Sequence, residues 1–478
     1  MVKISRPECD RSVNSQTLWN PSSKGVSPGT PRPATGNADA RSVWGGQSWL
    51  RTGIPAGTPA IGRLCRVVDR AVACAALALV LLAATGYAQT APAAKTVCAQ
   101  TGDIARQLAQ ITGWALLHPV PCDFIDKDQL NKYVKETMKK ETNPSEIRAE
   151  EAVLKKFGFA PPDFDLAKTT VDLLTEQAAA FYDYHRKKLF VAESTPAEMD
   201  ETVLAHELAH ALADQHFNLA RYVRKGQDSD DGSTARLAVM EGQATWIMSE
   251  YLARKLGQSI LTNPMLISAM NAMGDVAGGQ FPVFENAPLY FRLTLLFPYT
   301  KGLLFQNALL EHDREGGFAE PFQRPPLSTQ QILHTDKYFA NEKPTKPALP
   351  VVHLPGGYKT LVEGSLGELD ESVLIEQYGS KEQAARLAPH VKGSWFELRE
   401  NRNAGRTVLL YAAEWDGEES AREYFALYRT VLERKWKSFR QTSETPDSVA
   451  GSGDDGFFKL RRSGNIVTSV EGLPSELN

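Results

Sequence analysis

Thr202-Val203-Leu204-Ala205-His206-Glu207-Leu208-Ala209-His210-Ala211-Leu212-Ala213-Asp214 is the stretch on which the reading of the chain turns. Apolar residues recur here at helical spacing, which predicts a helix that opens at the capping sequence Thr195-Pro196-Ala197-Glu198 and runs to about Gln215. Two histidines four apart lie about 40° apart around a helix, so both rings reach one ion. Neutral imidazole is a good zinc ligand, and Glu207, one position on, suits a carboxylate that binds the ion's water rather than the ion. The pentapeptide alone fits a solvated amphipathic helix equally well.

A third ligand separates the two readings, because a catalytic zinc takes three protein donors and keeps one position open. Glu241 is the candidate, in Met240-Glu241-Gly242-Gln243-Ala244-Thr245 on a second long helix expected to open at Ser233 or Thr234 and to stop at Gly257. A carboxylate amid Leu237, Ala238, Met240 and Trp246 is costly to bury without a partner, and Gly242 and Ala244 would let this helix pack closely on the first. The Asp228 to Ser233 loop between them lacks a glutamate at the twelfth calcium-loop position, which is Val239, and reads as a helix cap. Asp214, four beyond His210, suits a carboxylate that orients a ligand, or a surface acid near the helix end.

HELAHALADQHFNL followed by EGQATWIM resembles the thermolysin-like clan of zinc peptidases, in which HExxH on one helix is completed by a glutamate on a later helix. More narrowly, it is similar to exported bacterial and archaeal metallopeptidase-like proteins, over Phe181 to Phe339. The resemblance implies one catalytic zinc held by His206, His210 and Glu241, a general base at Glu207, and an edge strand near Lys188 to Ala192 that pairs with an extended peptide. EGQAT replaces the ExxxD of thermolysin, and no downstream histidine matches its transition-state donor. Tyr299, in FPYTKG, and His334, in TQQILHTDKYF, are the candidates for that role, beside their reading as packed core residues.

Ala71 to Ala84 (AVACAALALVLLAA) is an apolar run behind Arg63, Arg66 and Arg70 and ahead of small residues ending at Ala88. It is shorter than the roughly 20 residues that span a bilayer, so 63-88 reads as a signal peptide and the mature chain as periplasmic or extracellular from near Gln89. If uncleaved, it would anchor the chain in a membrane. The Ser-, Pro- and Gly-rich residues 1-62 read as a disordered extension or as a start assigned too far upstream, with Val67 or Val68 as the true one. Cys98 and Cys122 then remain in the mature chain and are expected to pair.

The expected fold class is α+β. Residues 89-350 form a mainly helical zincin-like domain with a small β-sheet, including a hairpin over Ala180 to Ala192. Residues 316-350 read as a loop-like linker, and 351-478 as a smaller α+β domain with an antiparallel sheet. In that domain strands are expected at 394-399, 407-414, 456-461 and 465-470, with a helix over 418-436, and Trp395, Trp415 and Trp436 as core. Fifty-three basic against 57 acidic residues leave a net charge of -4, which excludes a nucleic-acid binder that works through a broad basic surface. The partner is a peptide or protein substrate, with no membrane contact beyond the export signal and the oligomeric state left open. The alternatives are a zinc hydrolase of a non-peptide amide or ester, and an envelope binding protein with a vestigial site.

Overall fold

The computed structural model describes residues 76–77, 94–141, 143–177, 179–193, 195, 200–226, 229–276 and 281–475. The extension, and the signal peptide apart from Ala76 and Leu77, lie outside the described residues. The fold is α+β, as expected from the sequence.

The first half builds helices α1 (Ala94–Thr112), α2 (Lys127–Glu141), α3 (Pro144–Phe157) and α4 (Leu166–Gln177) around a small sheet. That sheet runs β1 (Ala76–Leu77), β3 (Ala180–Asp183), β4 (Lys188–Ala192), β2 (Cys122–Ile125), with β3 antiparallel to β4 and β2 parallel to it. The hairpin forms as read, turning through Lys187 at a left-handed φ of 55°. The expected edge strand is corrected: Lys188–Ala192 is flanked on both sides, because Cys122–Ile125, a strand with no clear sequence signal, pairs with it from outside.

Asn143 accepts a hydrogen bond from Ser145 N and caps α3, and Gly158 at φ 84° ends it. Cys98 on α1 and Cys122 on β2 form a disulfide, their Cα atoms 5.5 Å apart. Closing a loop of 24 residues stabilises the fold by about 3 kcal/mol in the chain-entropy account.

Helix α5 (Asp200–Phe217) carries the HELAH motif, and α6 (Leu219–Arg224) follows it. Val203, Leu204, Ala205, Leu208, Ala209, Ala211, Leu212 and Ala213 are all buried, so apolar residues surround the helix and it runs through the core. The solvated amphipathic reading fails on this point. The hydroxyl of Thr195, in the expected capping sequence, donates to Ala179 O, and residues 196–199 after it lie outside the described residues.

Helix α7 (Asp230–Lys255) starts earlier than expected because the Ser229 hydroxyl accepts from Gly232 N. Beyond it lie α8 (Pro264–Val276), α9 (Pro282–Glu285) and α10 (Leu289–His312). The close approach that Gly242 permits is to α10, not to α5: a Cβ on either Gly242 or Gly302 would overlap the other helix's backbone. Flanking this crossing, Gln243 donates to Gln306 and Trp246 to Asn307, satisfying polar groups that burial would otherwise orphan.

The expected linker holds three short helices, α11 (Glu320–Gln323), α12 (Thr329–Leu333) and α13 (Thr335–Phe339). The C-terminal region is a seven-stranded antiparallel sheet in the order β5 (Lys359–Gly364), β6 (Val391–Asn401), β7 (Arg406–Trp415), β11 (Ile466–Leu473), β10 (Gly456–Ser463), β9 (Ser448–Gly453), β8 (Arg440–Thr445). Helices α14 (Glu368–Tyr378), α15 (Lys381–Leu387) and α16 (Glu418–Lys435) accompany it. Trp415 and Trp436 are core, whereas Trp395 is half-buried under the Lys346 ammonium. One hydrophobic cluster joins Phe157 and Tyr290 to Phe396 and Tyr411, so the core does not break at residue 350.

Candidate metal centre

Helices α5 and α7 cross so that three side chains meet. His206 Nε2 lies 3.1 Å from Glu241 Oε2 and 3.1 Å from His210 Nε2, and His210 Nε2 is 3.3 Å from Glu241 Oε2. All three are buried, at 2%, 2% and 0% exposure.

Hydrogen bonds alone satisfy this triangle poorly. A neutral imidazole with its proton on Nε2 aims it at one partner, and two protonated nitrogens 3.1 Å apart repel. A tetrahedral ion with bonds of about 2.0–2.1 Å sets its donors about 3.3 Å apart, close to the spacings observed. Two imidazole nitrogens and a carboxylate oxygen are also a donor set that zinc prefers, so the residues fit the ion.

The electrostatics run the same way. Burial alone would raise the Glu241 carboxyl, but the charges and hydrogen bonds of His210 and His206 outweigh it and hold the group down at about 2. Burial lowers His206, against the pull of Glu241, and so favours the neutral ligand form.

Glu207, next to His206 in the chain, is fully buried, and its Oε2 accepts a hydrogen bond of 2.7 Å from Tyr182 N on β3. The Tyr182 hydroxyl in turn donates to Asp214 Oδ2, which also takes the Lys187 ammonium at 2.6 Å, while Asp214 Oδ1 accepts from Leu219 N. Asp214 therefore ties the hairpin to the end of α5 instead of bonding a ligand imidazole. Sequence reasoning misses Tyr182 because its contribution to Glu207 is a backbone amide, which no side-chain pattern reveals.

Tyr299 belongs to the group. Its ring stacks on His206 at 6.0 Å between centroids. Burial and the Glu241 and Glu207 charges push its ionisation well above the ordinary range, so it stays a neutral donor. His334 does not belong: its Nε2 lies 2.8 Å from Glu368 Oε1, which commits the imidazole to the C-terminal region.

Compared with protein-family models, with curated proteins and with solved structures, the chain matches none.

Proposed function

We propose that the chain is an exported zinc-dependent metallopeptidase, of the thermolysin-like type that its motifs resemble. The observation that carries this reading is the buried triangle of His206 Nε2, His210 Nε2 and Glu241 Oε2, with Glu207 and Tyr299 beside it. The Cys98–Cys122 disulfide supports an oxidising compartment.

A zinc ion held there would make a water molecule acidic enough to lose its proton near neutral pH and would polarise a carbonyl. Glu207 takes that proton on a carboxylate oxygen and returns it to the leaving amine. The Tyr182 amide fixes the Glu207 carboxylate against β3, and the Tyr299 hydroxyl is the donor available to a developing oxyanion.

Zinc analysis of the purified chain beside casein or peptide-library hydrolysis tests the reading. About one zinc per chain and hydrolysis that falls ~10²–10⁴-fold in Glu207→Gln, with zinc retained, are expected. Hydrolysis that survives Glu207→Gln unchanged would sink it.

A second reading, a metal-holding envelope protein without catalysis, is favoured by the burial of the four central groups, none more than 2% exposed. A zinc-loaded wild-type chain that cleaves no member of the library selects it.

A further inference from the structure

Where α7 begins, the chain encloses a second concave site, a cavity of about 130 Å³. Its wall includes Asp231 from the first turn of α7, Glu368 at the start of α14, Thr345 from the strap before β5, and Trp395 of β6. Asp231 and Glu368 are 5% and 4% exposed. Asp231 Oδ1 accepts from Thr329 N at 2.8 Å and from the Thr329 hydroxyl, and Glu368 Oε1 faces His334.

The remaining Glu368 oxygen, Oε2, is buried and has no hydrogen-bond partner, and neither has Thr345 Oγ1 on the same wall. A buried carboxylate oxygen left in this state costs several kcal/mol unless something positive meets it. Lys346 and Lys392 also line the cavity, but the Lys346 ammonium sits 3.4 Å over the Trp395 ring and the Lys392 ammonium pairs with Glu342.

We propose that this cavity binds one divalent cation of calcium type, through Asp231, Glu368 and Thr345, at the junction of α7 with the C-terminal sheet. Two carboxylates match its charge, the donors are all oxygen, and the volume holds an ion with a few waters, each of which takes about 30 Å³. The 228–233 loop alone could not do this; the second carboxylate comes from a different part of the fold. Burial, and to a lesser extent the Glu368 charge, push Asp231 up to about 6 against the hydrogen bonds from Thr329.

Thermal unfolding of the full, zinc-loaded chain at pH 7.5, titrated with CaCl₂ against NaCl at matched ionic strength, tests the site. The midpoint should rise by roughly 3–5 °C at saturating calcium. Equilibrium dialysis should count one calcium per chain. Glu368→Gln keeps the shape and the acceptor for His334 while removing the charge, so it should unfold no lower than wild type without calcium and lose the calcium response. No shift and no bound calcium up to 10 mM would overturn the proposal, leaving a water-filled cavity. An equal shift in wild type and Glu368→Gln would also overturn it, since the ion would then bind elsewhere.

Discussion

Asp231 and Glu241 stand ten positions apart on one helix, both buried, and their acidities diverge in opposite directions. Glu241 is held down at about 2 and Asp231 is pushed up to about 6. Burial penalises both charges alike, so the partners decide. Glu241 faces two imidazoles whose interactions favour its ionised form, whereas Asp231 faces a threonine and another carboxylate. The middle of α7 is thus built to keep an anion, its first turn to be neutralised.

The largest expected effect lies at Glu241. Glu241→Gln removes the proposed third ligand and should weaken zinc binding by more than the ~10–100-fold that loss of an outer partner costs. Competition with a chromophoric chelator reads this out, and unchanged affinity would break the comparison at that residue.

At the first turn, stability should depend on pH with a definite sign. Asp231, and Asp370, pushed by burial up to about 7, bind a proton more tightly in the folded chain than in the unfolded one. Their contribution is present below pH 4 and is lost as pH rises through about 6 to 7. Each tenfold difference in proton affinity between the folded and unfolded chain is worth about 1.4 kcal/mol, so the loss is on the order of 2–3 kcal/mol for Asp231. Urea midpoints from pH 4 to 8 without calcium should show it, and Asp231→Asn should flatten the slope; a stability that climbs with pH in both chains would contradict it.

Next to Glu241 in the chain, Gly242→Ala forces α7 away from α10 and should cost about 1–3 kcal/mol. A variant as stable as wild type would mean that the two backbones do not touch. Smallest of all, Tyr182→Phe removes one buried hydroxyl donor to Asp214 and should cost about 1 kcal/mol. If the tie matters to the site, hydrolysis falls in kcat with KM unchanged; equal stability and equal kcat would show that it does not.

The meeting of His206, His210 and Glu241 is legible in the sequence because its signals are local or chemically odd. Two histidines at helical spacing need no tertiary knowledge, and Glu241 stands out as a carboxylate in an apolar run. What escapes such a reading is nonlocal. Sheet order makes Lys188–Ala192 an interior strand, because Cys122–Ile125 arrives from far upstream. Gly242 signals a close approach without naming α10 as the partner, and His334 gives no hint of Glu368. Strands β8 and β9 escape because RQTSET is almost wholly exposed, and because SVAGSG, although its burial alternates over the first four residues, is made of small residues that carry little apolar signal. Tyr299 and His334 stand equal in the sequence, and only the Tyr299 ring lying on His206 separates them.

The glycine pair at the α7–α10 crossing bears on how kin of this chain are to be recognised. Histidine spacing alone admits any helix that binds metal, whereas a glycine directly after Glu241 and another at the place of Gly302 admit only helices whose main chains can touch there. Substitution at either position constrains the other, and the two helices can drift in sequence only as a couple.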